Sequence, residues 1–141
     1  NIFPLIINAA YEQKNLKVFG NDWPTHDGTC IRDYIHIMDL ADGHIKALDH
    51  LMKNDCQLIN LNIGTGQGHS VLDLIKTFEI INNVKVPFKF SQRRKGDVCT
   101  LVANNLRAKE ILNWHPNRSI EEMCRDGWQW KLLNPKGYDK S

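Results

Sequence analysis

The sequence predicts an α/β fold, and three observations carry that reading. Apolar stripes at helical spacing alternate along the chain with short runs of strand character, and capping signals stand at the head of the helical stretches. The chain of 141 residues, 42% of them apolar, is long enough for one domain with its own core. Phe3, Ile6, Ile7, Ala10 and Tyr11 fall at i, i+3, i+4, i+7 and i+8, the stripe of an amphipathic helix that ends near Asn15. Residues 16–19 form a short strand candidate, stopped by Gly20-Asn21-Asp22 and Pro24, and the polar stretch 25–29 is a loop. A second strand is expected over 34–37. Asp39 then serves as N-cap, with Asp42 three residues on, for a helix striped by Leu40, Ala41, His44, Ile45, Leu48, Leu51 and Met52 and running to Lys53. Residues 58–63 alternate and suit a buried strand. Gly64, Gly66 and Gly68 turn the chain into Ser70, which with Asp73 spells a capping box for a helix carrying Val71, Leu74, Ile75, Phe78 and Ile81. The strand over 86–90 is placed at an edge because of Pro87, and 100–102 is a further short strand. A short helix over 106–112 precedes one that Ser119 and Glu122 cap and that Ile120, Met123, Cys124, Trp128 and Leu132 stripe, before Pro135 and Gly137 stop it.

Composition narrows the function classes. Eighteen Lys+Arg against sixteen Asp+Glu leave a scattered net charge of +2, so no nucleic-acid partner is expected. Cys30, Cys56, Cys99 and Cys124 lie 26, 43 and 25 residues apart without a CxxC pair, which suits reduced thiols and a cytoplasmic location. The apolar run 2–7 is six residues long and contains Pro4, too short for a membrane span, and no basic region precedes it as in a signal peptide. The chain is read as soluble, with no membrane partner. It opens at Asn1 inside a helical pattern and without Met, which suggests a fragment of a longer polypeptide.

Several constellations invite chemistry, each beside a plainer reading. Gly64-Thr65-Gly66-Gln67-Gly68 sits where backbone amides can cradle a phosphate, but its G-x-G-x-G spacing matches neither nucleotide fingerprint, so a simple turn is favoured. Asp33, His36 and Asp39, or His44 and His50, do not share a face as metal ligands, and no metal is expected. Glu121 and Glu122 suit a helix's first turn better than paired acid–base work. Trp114, Trp128 and Trp130 are read as core. Arg93-Arg94-Lys95 is either a solvated charge run or an anion clamp, since a guanidinium gives phosphate two parallel hydrogen bonds.

The stretch 19–44, through Asn21-Asp22-Trp23-Pro24-Thr25 and Arg32-Asp33-Tyr34-Ile35-His36, resembles the hallmark segment of UDP-glucose 4-epimerases, within the extended short-chain dehydrogenase/reductase superfamily. The resemblance continues through 60–73, Arg93 to Asp97, 104–114, Trp128-Gln129-Trp130 and Asn134 to Tyr138, essentially the whole chain. It is a resemblance to the C-terminal part of such enzymes. It implies a C-terminal α/β substrate-binding domain over 1–141, with the NAD-binding Rossmann half and its Tyr-x-x-x-Lys pair absent; Tyr11 and Lys14 are one residue too close together to stand in for that pair.

What the resemblance implies is specific. The parent reaction interconverts UDP-glucose and UDP-galactose through a 4-keto sugar on NAD held by the other half, in a homodimer. This chain contributes no catalytic residue and is expected to be inactive alone. By position, Asn1 matches a residue at the substrate diphosphate, and Lys17, Val18 and Phe19 match the strand lining the uracil site. Arg32 and Arg94 match phosphate-binding arginines, which favours the clamp reading, and Asp97 matches a carboxylate holding the ribose hydroxyls. Leu101 stands where relatives carry a tyrosine or a smaller residue beside the sugar, which predicts that the intact enzyme admits a 2-N-acetyl sugar. The alternatives are a non-catalytic UDP-sugar binding module or fragment, or another sugar-nucleotide enzyme such as a UDP-N-acetylglucosamine 4-epimerase or a 4,6-dehydratase. A missing half also predicts an exposed apolar patch on the fragment.

Overall fold

A computed structural model describes residues 1–55 and 58–138, so Cys56 lies outside the described residues. The chain runs α1 (Phe3–Glu12), β1 (Leu16–Phe19), β2 (Ile31–Arg32), α2 (Ile37–Lys53), β3 (His69–Ser70), α3 (Val71–Asn82), β4 (Phe88–Ser91), β5 (Thr100–Leu101), α4 (Leu106–Leu112) and α5 (Ile120–Leu133). Two small sheets result. β1 pairs in parallel with β4, Leu16 opposite Phe88 and Phe19 opposite Ser91. In the other sheet β2 is central, antiparallel to β3 and parallel to β5, with Ile31 opposite both Ser70 and Thr100.

Local chemistry explains most boundaries. Pro4 sits in the first turn of α1, where a missing N–H costs nothing. Ser70 and Asp73 form a complete capping box on α3, as Ser119 and Glu122 do on α5, each satisfying two orphan amides. β1 alternates, turning Leu16 and Val18 into a core made by Ile6 of α1, Leu74, Ile75 and Phe78 of α3, and Met123 and Cys124 of α5. Phe3 and Trp128 both meet Phe78 edge-on, at 6.3 and 5.6 Å between ring centroids. A second cluster gathers Ala108, Leu112 and Trp114 of and beyond α4, with Ile35, Ala47 and Ile63 packed on it.

The structure corrects four expectations. The strand over 34–37 does not form: pairing stops at Arg32, the Asp33 carboxylate turns to the 64–66 loop, and Ile37 already begins α2. Asp39 is not the cap of α2. That role falls to His36, whose Nδ1 accepts from the Met38 amide at 3.1 Å, while its Nε2 meets Asp126 at 3.2 Å. Residues 58–63 are not a strand; their exposure alternates as a strand's does, but no backbone hydrogen bond among the described residues gives them a neighbour. Trp130 is not core, being partly exposed against Tyr138. Trp114 is buried as expected, its Nε1 donating to the Asp39 carbonyl at 3.1 Å.

The α2 helix leaves an apolar face uncovered. Met38, Ile45, Leu48 and Met52 recur along it and are each half or more exposed, Met52 to 77%. The opposite side of the helix meets the unpaired segment, where Gly43 lies so near Ile63 that a Cβ would stand 3.1 Å from its side chain. Among the described residues no helix is long and apolar enough to cross a membrane.

Candidate functional site

A cleft of about 430 Å³ opens beside β1 and β2. Asn1 and the start of α1 close one side, β1 brings Lys17 and Phe19, β2 brings Arg32 with Cys30 just before it, and the loop before β5 brings Arg94 and Asp97. Residues far apart in sequence meet here because β1 and β2 bracket the loop 20–30, which Thr25 and Asp27 close on Thr29. A short Ser70–Asp27 hydrogen bond ties the same loop to the head of α3.

Charge and aromatic surface are combined in one arrangement. The Arg94 guanidinium lies over the Phe19 ring, 4.7 Å from its centroid, a cation–π contact. It also grips Asp97, Nε to Oδ2 at 3.0 Å and Nη2 to Oδ1 at 3.3 Å. Arg32 reaches the same carboxylate at 4.0 Å and is held against the sheet by its Nη1, which donates to the Ile31 carbonyl at 2.8 Å. Two guanidinia thus share one carboxylate, leaving donor capacity for an anion, while Asp97 can accept hydroxyl donors. Arg93 does different work: its guanidinium stacks over Trp23 at 4.0 Å and pairs with Asp22 at 2.7 Å, clipping the loop outside the cleft.

The predicted site residues divide by position. Asn1, Lys17, Phe19, Arg32, Arg94 and Asp97 line the cleft together. Val18 points instead into the core, as strand alternation requires, and Leu101 lies on β5 beside Arg32, 62% exposed and outside the lining. Sequence reasoning missed Tyr34 and Cys30. The Tyr34 hydroxyl lies buried in the cleft wall with no hydrogen-bond partner among the described residues, and burial pushes its pKa up to about 12. A tyrosine in a stretch expected to be a strand gave no signal of this.

Two sequence constellations resolve into structure. In the glycine turn, the Thr65 and Gly66 amides both donate to Asp33 at 2.9 Å. The loop is thus occupied by a carboxylate of its own chain, and a Cβ at Gly64 would stand 2.5 Å from Ala103. Asp33, His36 and Asp39 serve three different partners, Asp39 receiving the Asn117 and Arg118 amides at 3.1 and 2.9 Å. His26, Asp27 and Asp73 do gather, around the capping box of α3. Cys30, Cys99 and Cys124 are free thiols; burial pushes that of Cys124 up to about 12.

The fold and the cleft define a mixed α/β chain with an aromatic-floored, guanidinium-lined binding site. It belongs to the family described as GDP-mannose 4,6 dehydratase, whose model matches residues 1–127. It is 48% identical over 139 residues to the UDP-glucose 4-epimerase of Pasteurella multocida (strain Pm70) and 45% over 139 residues to that of Bacillus subtilis (strain 168). Each match covers 98% of this chain and 41% of the relative, so the chain spans about two-fifths of their length. Among solved structures it resembles UDP-glucose-4-epimerase from Stenotrophomonas maltophila with bound NAD and formylated UDP-arabinopyranose, at TM-score 0.90, 43% identity and 96% coverage of this chain against 40% of that one. The Bifidobacterium longum enzyme in complex with NAD+ and UDP matches at TM-score 0.91 and 35% identity, over 98% of this chain and 41% of that one. This coverage is consistent with the C-terminal part that the resemblance implies.

Proposed function

We propose that residues 1–141 form the UDP-sugar-binding domain of a UDP-glucose 4-epimerase, which interconverts UDP-galactose and UDP-glucose with NAD. The observation that carries this is the convergence of Lys17, Phe19, Arg32, Arg94 and Asp97 on one cleft. In this reading Phe19 packs against the uracil, Arg32 and Arg94 take the diphosphate, Asp97 takes the ribose hydroxyls, and Asn1 and Lys17 border the nucleotide. The bound nucleotide is oriented from one end, so that the sugar is held for chemistry performed elsewhere.

NAD, which solved relatives hold, has no fitting cradle among the described residues: the glycine-rich turn 64–68 has given its Thr65 and Gly66 amides to Asp33. In this reading the dinucleotide and the proton-transferring residues of the intact enzyme belong to another part of it. That part covers the apolar face of α2 and supplies neighbours for 58–63, and the chain alone does not epimerise. Leu101, without a polar group for the sugar, leaves room for a 2-N-acetyl substituent.

Calorimetric titration of the chain with UDP tests the reading. Binding is expected, and Arg94→Ala weakens it by about tenfold or more, the loss of one charge-assisted contact of roughly 1.5 kcal/mol or above. No binding, or binding indifferent to Arg94, removes the proposed grip. The rival, a stand-alone UDP-sugar binding module, is separated by UDP-galactose turnover with added NAD in the full-length enzyme.

A further inference from the structure

Cys30 and Cys99 stand side by side. β2 and β5 run parallel with Ile31 opposite Thr100 and Arg32 opposite Leu101, and the Ile31 amide donates to the Cys99 carbonyl at 2.9 Å. The same register, one residue back, sets Cys30 opposite Cys99. Neighbouring strands lie about 4.8 Å apart, and in-register residues project to the same face, within the roughly 4.4 to 6.8 Å Cα separation that a disulfide spans. Both thiols are free. Cys30 is buried in the cleft wall, and Cys99 is half-buried, its sulfur touched only weakly by the Thr100 hydroxyl at 3.8 Å. Each lies two residues from a cleft group: Cys30 from Arg32, Cys99 from Asp97.

We propose that Cys30 and Cys99 are a redox pair that closes to an intramolecular disulfide and thereby weakens ligand binding in the cleft. The oxidant is a small-molecule disulfide such as oxidised glutathione. The more accessible Cys99, as thiolate, attacks one of its sulfurs; the reagent's S–S bond breaks and one glutathione leaves with the electron pair. Cys30, its proton lost to solvent, then attacks the Cys99 sulfur and expels the second glutathione. Two protein thiols are oxidised, one disulfide is reduced to two thiols, and the two protons lost by the protein end on glutathione. The staple joins the residue just before β2 to the residue just before β5, between the strand that carries Arg32 and the loop that carries Asp97. Arg32 and Asp97 sit 4.0 Å apart, and closing the link takes the Cys30 sulfur out of its place in the cleft wall and draws together the backbone two residues from each of them. The thiol pairing rests on strand register alone, whereas its effect on the nucleotide rests on the function proposed above.

The test treats the chain with oxidised glutathione and maps its peptides. Expected is a Cys30–Cys99 linked pair, a mass lower by two hydrogens, and full reversal by dithiothreitol. Cys30→Ala should instead hold a stable glutathione adduct on Cys99, whereas Cys99→Ser should gain neither adduct nor link at Cys30. UDP affinity of the oxidised chain should fall roughly tenfold, within the usual range of site-to-site coupling. A link through Cys56 or Cys124, or glutathione adducts that never resolve in the unaltered chain, overturns the pair. Formation of the link with unchanged UDP affinity overturns the coupling. If the reduced chain binds no UDP at all, the nucleotide reading fails while the peptide map still decides the thiols.

Discussion

Asp39 is 1% exposed, and its carboxylate holds together two stretches of chain that lie far apart in sequence. It accepts two amides, from Asn117 and Arg118, and an ion pair from the Arg118 side chain at 2.5 Å. Asp39→Ala strands both amides in the interior and should cost about 3 kcal/mol in urea unfolding, whereas Arg118→Ala, which leaves the amides paired, should cost clearly less. An aspartate before an apolar stripe reads as a cap from sequence, because nothing local reveals a partner so distant; the nearer His36 took the cap instead. A second prediction concerns acid. Burial pushes the Asp27 and Asp73 carboxyls up, but hydrogen bonds outweigh it, from Ser70 and Thr29 to Asp27 and from His26 and Ser70 to Asp73, so both end below the usual carboxylate range. A depressed folded-state pKa adds stability that is present above the unfolded value and is lost as pH falls through the folded one. Melting temperature should therefore drop on acidification through and below the usual carboxylate range, and less steeply in Asp27→Asn than in the unaltered chain.

At the scale of elements, the features legible in advance were those whose chemistry is local. The capping boxes at Ser70 and Ser119 and the stripes of α1, α3 and α5 all formed where spacing placed them, because each needs residues only three or four positions apart. β4 and β5 formed within a residue or two of expectation. Segments whose state depends on partners were not legible: 34–37 lost its strand to a side-chain network, and 58–63 found no strand to join. The cleft followed the same rule, its charged residues visible through a resemblance and Cys30 and Tyr34 invisible until β2 was in place. Contact between helices can also fix a residue without any local sign of it. At Gly127 of α5 a Cβ would stand 2.7 Å from the Phe3 ring of α1. Gly127→Ala should therefore lose about 1 to 3 kcal/mol by overpacking, despite alanine's better helix propensity, as a denaturant midpoint would show.

For the whole molecule, the exposed stripe on α2 faces away from the segment 58–63, which packs on the helix's other side. Apolar faces of this kind drive association. The chain should self-associate or bind a hydrophobic dye, and Leu48→Glu with Met52→Glu should abolish both while leaving the helical circular dichroism unchanged; a monodisperse, dye-silent chain would count against the missing partner. Leu58, 91% exposed, stands at the start of the segment 58–63. That 58–63 makes no backbone–backbone hydrogen bond among the described residues has a further consequence in time rather than in energy. Amides without a hydrogen-bonded acceptor give up their protons to solvent without waiting for the fold to open, whereas those of α3 and β1 must wait for it. In deuterated buffer this segment should label first, though it lies against the buried Trp114 cluster, and a later slowing confined to these few residues would signal that a neighbouring strand had arrived.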